Sequence, residues 1–135
     1  MSPHRDRIDT HIHFIPPCFA SALAAADFDM SGYPLPQFKT SNLFTALEEL
    51  DVKTAVLSVS APGPAIAGSG LQGRELARKC NDEGIEIISQ GGGRLKLFGS
   101  TPCWTDVQGT IDEIDYCIRT LKCTGIVCMT TYGDR

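Results

Sequence analysis

The sequence lacks the close cysteine pairs that zinc ribbons and zinc fingers require. It has six cysteines, none of them in a CxxC pair, at positions 18, 80, 103, 117, 123 and 128. Because a zinc ribbon or finger needs such a pair twice, that class of site is excluded. Free cysteine is among the most buried residue types, so we expect most of the six to pack as small hydrophobic residues, without disulfides.

Long apolar runs and basic runs are also missing. The apolar runs fall well short of the roughly 20 residues that a membrane-spanning helix needs, and the charged start MSPHRDRIDT lacks the apolar core of a secretion signal. The net charge of −4 argues against nucleic acid or anionic membranes as partners. We therefore expect a soluble, cytoplasmic protein whose residues 1–135 form one domain.

Two nucleotide-binding motifs are absent too. No GxGxxG follows the first strand-like segment, and no GK[ST] follows the Gly-rich stretch PGPAIAGSG. A dinucleotide-binding fold and a P-loop are therefore both disfavoured.

What the sequence does contain is an alternation of strand-like and helix-like segments. The predicted strands are 8–16, 53–61, 94–100 and 124–131, and the predicted helices are 41–51, 71–84 and 105–122. A long loop covers 16–40, with a helical turn or two allowed in its Ala-rich part. The last helix is the clearest, since apolar residues recur every three or four positions from Val107 to Leu121. This order predicts four parallel strands and three helices, in a doubly wound sheet or a (β/α)8 barrel.

The stretch IDTHIHF at residues 8–14 carries the most distinctive chemistry. Side chains two apart on a strand point to the same face, so Asp9, His11 and His13 are expected in one row. The apolar residues between them form the other row, which assigns Phe14 to the core. Burying imidazoles and a carboxylate is costly unless each is hydrogen-bonded or bound to a metal, and both solutions remain open here.

In the metal-binding alternative, His11 and His13 hold one divalent ion at the carboxyl end of the first strand, where barrel enzymes have their active sites. In the other alternative they are buried histidines hydrogen-bonded to Asp9 and the backbone. His4 precedes His11 by seven residues and is expected at the opposite end of the strand. Asp9, Asp134 and, as a softer ligand, Cys103 are further candidates for the metal.

Several segments together resemble a known family. DTHIHFIPP, AVLSVSAPGP, LKLFGSTP and TGIVCMTTYGD are similar to the metal-dependent amidohydrolase superfamily. The closer resemblance is to its decarboxylase branch, the aminocarboxymuconate-semialdehyde decarboxylase family, which includes the γ-resorcylate and 6-methylsalicylate decarboxylases. The resemblance extends over essentially the whole chain, and the HxH strand is its sharpest part.

This resemblance implies the N-terminal half of a (β/α)8 barrel and one divalent metal, zinc first and manganese second. It identifies His11 and His13 as metal ligands. The family's other two ligands, a histidine after strand 5 and an aspartate after strand 8, have no counterpart among these 135 residues. The implied reaction is non-oxidative decarboxylation of an aromatic or unsaturated carboxylic acid, with protonation at carbon before CO2 leaves.

Three readings of function follow from the missing ligands. The chain is part of a metal-dependent decarboxylase, part of a metal-dependent hydrolase on the same barrel, or a non-catalytic fragment. A homodimer or a partner chain that completes the barrel is a further expectation. The small-molecule acid is expected in a pocket shaped by the loop 16–40 and approached by Tyr132.

Overall fold

The computed structural model describes residues 6–26 and 34–132 of the chain. The elements, in chain order, are strand β1 (Arg7–Phe14), helices α1 (Pro17–Ala25) and α2 (Thr40–Glu49), strand β2 (Val52–Val59), a 3-10 helix (Gly63–Ala67), helix α3 (Leu71–Ser89), strand β3 (Leu95–Gly99), helix α4 (Val107–Asp115), a π-helical turn (Tyr116–Thr120) and strand β4 (Gly125–Ile126). No helix in the described ranges is long and apolar enough to cross a membrane.

The four strands form one parallel sheet in the order β1-β2-β3-β4. The predicted parallel sheet with helical crossovers is therefore confirmed. Strand β2 is buried along most of its length, from Ala55 to Val59. Its side chains are buried on both faces, as is typical of a central strand in a parallel sheet.

The core lies between the sheet and helices α1, α2 and α3. Phe14, Leu57 and Leu97 are essentially fully buried there, which confirms the core assignment of Phe14. Helix α3 approaches the sheet closely at Gly84, where an added Cβ would lie 2.9 Å from Leu97 and 3.0 Å from Phe14. A glycine at this helix position therefore sets the distance between α3 and the sheet.

Two predictions about element number and length are wrong. The described residues form four α-helices instead of three, because α1 (Pro17–Ala25) forms in the Ala-rich part of 16–40, where the sequence allowed a helical turn or two. Pro17 is at its first helical position, where a fixed φ and a missing N–H are favourable. Strand β4 has only two residues, Gly125–Ile126, where eight were predicted over 124–131.

Three of the five apolar residues in the stripe of the last helix face outwards, whereas Ile114 and Leu121 are half-buried. Val107, Ile111 and Ile118 are 64%, 55% and 42% exposed. The buried side of this helix and the following turn carries instead Gly109, Thr110, Glu113 and Cys117.

Polar contacts with α3 explain this orientation of α4. Arg78 donates to Glu113 at 2.9 Å, and Asn81 donates to the same carboxylate at 2.8 Å. Arg74 donates to Asp106, the N-cap of α4, through two nitrogens at 2.6 Å. These bonds turn the polar side of α4 towards α3, so most of the predicted stripe is left on the outside.

Strand β1 is less buried than its apolar residues suggest. Ile8 is 64% exposed, and Ile12 is only partly buried. Among the described residues β1 pairs with β2 alone, so it lies at one edge of the sheet. The expectation that β1 is a buried strand is therefore wrong.

Candidate metal centre

His11 and His13 bring two imidazole nitrogens together near the carboxyl end of β1. Their Nε2 atoms lie 3.2 Å apart, and their rings meet edge to face with centroids 4.9 Å apart. Both side chains are exposed to solvent. The predicted convergence of the two histidines is therefore present in the structure, on an open surface instead of in the core.

An irregularity in β1 separates Asp9 from this pair. Asp9 is in register with Ala55 and His13 with Ser58, with a register shift of β1 between Asp9 and Ile12. Ala55 and Ser58 are three residues apart on β2, so they point to opposite faces of the sheet. The predicted single row of Asp9, His11 and His13 is thus interrupted. The Asp9 carboxylate instead accepts the backbone N–H of His11 at 2.9 Å.

Ser58 on β2 is the hydrogen-bond partner of the His13 ring. Its hydroxyl lies 3.1 Å from Nδ1 of His13, and the two residues are in register on neighbouring strands. A partner on Nδ1 fixes the orientation of an imidazole whose Nε2 binds a metal. No pattern in the sequence singles out Ser58, because its role depends on the register between two strands that are distant in the chain.

The two imidazoles fit a shared divalent ion. Nitrogens that each lie about 2.0–2.1 Å from one tetrahedral zinc ion are about 3.3–3.4 Å apart, close to the 3.2 Å seen here. Within 6–26 and 34–132, however, no group of three or more His, Cys, Asp or Glu side chains is arranged to hold a metal. The described residues therefore bring two candidate ligands together, His11 and His13.

Among the described residues, neither Asp9 nor Cys103 joins the two histidines as a third ligand. Cys103 is buried and its sulfur contacts the hydroxyl of Thr105 at 3.1 Å. His4 and Asp134 lie outside the described residues.

Tyr132 lies elsewhere in the described structure, stacked on Trp104 with ring centroids 5.3 Å apart. Its hydroxyl oxygen accepts the backbone N–H of Met129 at 2.9 Å. It lines a cavity with Trp104, Thr105 and Val107 that shares no lining residue with the cavity beside His13.

A cavity of about 460 Å³ opens beside His13. Its apolar wall consists of Ile12, Ile15, Pro36, Phe38 and Leu43, and its polar lining of His13, Gln37, Lys39, Asn42 and Ser60. Four of these residues, 36–39, belong to the segment predicted as a long loop. The sequence did not single out Lys39, the one cationic side chain among these lining residues.

Known proteins resemble the chain in sequence. The 6-methylsalicylic acid decarboxylase of Penicillium expansum is 34% identical over 127 residues, which are 94% of this chain and 39% of that protein. The 6-methylsalicylic acid decarboxylase of Aspergillus aculeatus is 35% identical over 128 residues, which are 95% of this chain and 39% of that protein. No protein-family profile matches the chain.

Solved structures resemble it in fold. The 5-carboxyvanillate decarboxylase of Sphingomonas paucimobilis superposes with a TM-score of 0.81 at 20% identity, over 97% of this chain and 45% of that one. A dihydroxybenzoic acid decarboxylase of a Polaromonas species superposes with a TM-score of 0.73 at 20% identity, over 90% of this chain and 37% of that one. That protein was crystallised with manganese and the inhibitor 2-nitroresorcinol. At such identities the likeness shows the fold alone.

The lengths of the matches say how much of a barrel is present. The four parallel strands and their helices match amidohydrolase-type structures over about two-fifths of the length of those structures. Half of a (β/α)8 barrel would give a match of this extent. The chain likewise spans 39% of the length of the two 6-methylsalicylic acid decarboxylases. The chain is therefore similar in sequence to the 6-methylsalicylic acid decarboxylases and in fold to amidohydrolase-type structures, and it spans about two-fifths of their length.

Proposed function

We propose that this chain contributes the first two metal ligands of a non-oxidative decarboxylase of aromatic carboxylic acids. The observation that carries the proposal is the 3.2 Å approach of the Nε2 atoms of His11 and His13, with Ser58 on the Nδ1 atom of His13. The relatives named for 6-methylsalicylate support the substrate class.

His11 and His13 would hold one divalent ion through Nε2. Such an ion supplies a Lewis acid that binds and polarises the carboxylate or a neighbouring hydroxyl of the acid. We propose zinc, because imidazole nitrogen suits it well, with manganese as the alternative since a structural relative contains it. The role of Ser58 is to hold the His13 ring so that Nε2 stays directed at the ion.

The cavity beside His13 would receive the aromatic ring. Ile12, Ile15 and Phe38 offer an apolar wall, and Lys39 offers a positive charge that attracts an acid. In the reaction, the ring carbon that carries the carboxylate takes up a proton, its bond to the carboxylate carbon breaks as CO2 leaves, and the bonding electrons restore the aromatic ring. A contact between Tyr132 and the substrate stays a prediction, and it requires that the acid also reach the separate cavity that Tyr132 lines with Trp104.

Further ligands are needed, because catalytic zinc generally has three protein ligands and a water. We propose that they come from outside the described residues. One source of these ligands is residues equivalent to the three-fifths of the relatives that this chain does not match. The other source is a second copy of this chain, which would bring another His11 and His13. A cytoplasmic location remains part of this proposal as well.

Metal binding is the first test. The chain is stripped with a chelator and titrated by calorimetry with zinc or manganese, next to a variant with His11→Asn and His13→Asn. Thr10→Ala is the matched control, since Thr10 is an exposed residue of the same strand. Binding that is lost in the histidine variant and kept in the control supports the proposal, and equal binding by all three contradicts it.

The reaction is tested on the product of the mature transcript, whose 3′ sequence shows which residues accompany the 135. That product is incubated with carboxyl-labelled 6-methylsalicylate and 2,6-dihydroxybenzoate, and labelled CO2 is measured. Release of CO2 that depends on His11 and His13 supports the decarboxylase. Turnover of an ester, lactone or amide without CO2 would instead assign the site to a hydrolase.

A further inference from the structure

Two cysteines from different helices lie in contact, away from the histidine pair. The sulfur of Cys18 on α1 is 3.6 Å from the sulfur of Cys80 on α3. Cys80 is fully buried, whereas Cys18 is only partly buried. The function proposed above uses neither of them.

The two helices hold this contact in place. The backbone N–H of Cys18, in the first turn of α1, donates to the carboxylate of Glu83 at 3.1 Å. Glu83 follows Cys80 by three residues, so both lie on the side of α3 that faces α1. A disulfide needs an S–S distance of about 2.0 Å, so the sulfurs would have to approach by roughly 1.5 Å.

The environments of the two thiols differ. The hydrogen bond with Cys18 and then burial raise the pKa of Cys80, so Cys80 remains a thiol. Cys18 is the more exposed of the two residues, so it is the one that a small oxidant should meet first. This asymmetry resembles that of redox-sensitive pairs, in which an accessible cysteine reacts first and a neighbour resolves it.

We propose that Cys18 and Cys80 form a disulfide when the protein meets a hydroperoxide. The sulfur of Cys18 attacks the outer oxygen of the peroxide as its thiol proton is released. The O–O bond breaks, the departing oxygen takes up that proton and leaves as water or an alcohol, and Cys18 becomes a sulfenic acid. The sulfur of Cys80 then attacks the Cys18 sulfur, and the thiol proton leaves with the hydroxide as water. In total the two thiols lose two hydrogen atoms and one peroxide is reduced.

The disulfide would fasten α1 to α3. Helix α1 follows directly on the strand that carries His11 and His13, and the closed loop contains β2 with Ser58. Oxidation thus adds a covalent tie across the part of the fold that supports both histidines. A loop of this length strongly restricts the unfolded chain, so the oxidised protein should melt at a higher temperature.

The test treats the folded, reduced protein with hydrogen peroxide, followed by non-reducing peptide mapping and a thermal melt. We expect one crosslinked peptide pair joining Cys18 to Cys80, a mass loss of two hydrogen atoms, and a Tm higher by at least about 4 °C that dithiothreitol reverses. Cys18→Ser and, separately, Cys80→Ala should each abolish the crosslink and the shift. The control Cys128→Ser, at the exposed cysteine, should keep both.

Two results would overturn the proposal. One is a sulfinic acid at Cys18 with no crosslink in the wild-type protein. The other is a crosslink between different cysteines, such as Cys117 and Cys123, that persists in both the Cys18→Ser and the Cys80→Ala variant. Two single variants are used because a change at buried Cys80 can unfold the chain, whereas a change at partly buried Cys18 is better tolerated. The Cys18→Ser variant therefore still tests the crosslink if Cys80→Ala does not fold.

Discussion

The hydroxyl of Ser58 lies 3.1 Å from Nδ1 of His13, so a residue of β2 sets the ring orientation of a histidine on β1. Replacing Ser58 with alanine removes the hydroxyl and leaves the ring free to turn. We expect the Kd for zinc to rise about 10- to 100-fold, the usual effect of losing a partner behind a metal-bound histidine. Calorimetric titration checks this.

Ser60→Ala is the matched control. Ser60 lies two residues further along the chain and lines the cavity beside His13. Equal loss of affinity in both variants would show that the Ser58 hydroxyl does not act through His13.

Lys39 is expected to attract the acid to the cavity beside His13. Lys39→Met keeps the length of the side chain and removes its charge, so binding of an aromatic carboxylate should weaken about tenfold, and by less at high salt. Titration with 6-methylsalicylate, followed by its fluorescence, measures the change. Lys53→Met is the control, since Lys53 is paired with Asp6 at 2.6 Å and does not line this cavity; a tenfold loss there too would contradict the prediction.

The exposed stripe of α4 leads to a prediction about stability. Ile111→Ala should change the free energy of unfolding by no more than about 0.5 kcal/mol, because the side chain is 55% exposed. Leu97→Ala, at a side chain that is 1% exposed, should cost about 2–5 kcal/mol. Urea unfolding compares the two variants, and a large loss at Ile111 would show that this side of α4 is covered in solution.

Asp106 should make the protein sensitive to acid. Its hydrogen bond from Arg74, and then that from the Gly109 N–H, lower the pKa of the carboxyl to about 2. A lowered pKa stabilises the folded state fully above the ordinary aspartate value of about 3.9, and this contribution is lost as pH falls towards 2. Unfolding followed between pH 5 and pH 2 should therefore show a flatter profile for Asp106→Asn.

Asp115→Asn is the control for that experiment. Asp115 forms an exposed ion pair with Arg119, and such pairs contribute little to stability. An acid profile that changes as much in Asp115→Asn as in Asp106→Asn would contradict the role given to Asp106.

Local patterns in the sequence were enough to predict the alternation of strands and helices and the approach of His11 to His13. The Ala-rich segment after Pro16 and Pro17 indicated only a helical turn or two, and the full helix α1 was not expected because the later prolines indicate a loop. The periodicity of apolar residues could not predict the orientation of α4, since this orientation depends on ion pairs with Arg74 and Arg78 of α3.

The same limit applies to the site. Alternation along a strand placed Asp9 beside the histidines, but the shifted register between Asp9 and Ile12 cannot be seen in the order of residue types. Ser58 and Lys39 come from segments distant in sequence, so only the fold brings them to His13.

The strand order β1-β2-β3-β4 also bears on how this part of the sheet is made. Each described strand pairs with the one that the ribosome produced just before it, and no described strand has to insert between two earlier ones. The sheet can therefore grow at a single edge during synthesis, in the direction of translation. The two histidines, on the first strand made, have Ser58 available as soon as the second strand has paired.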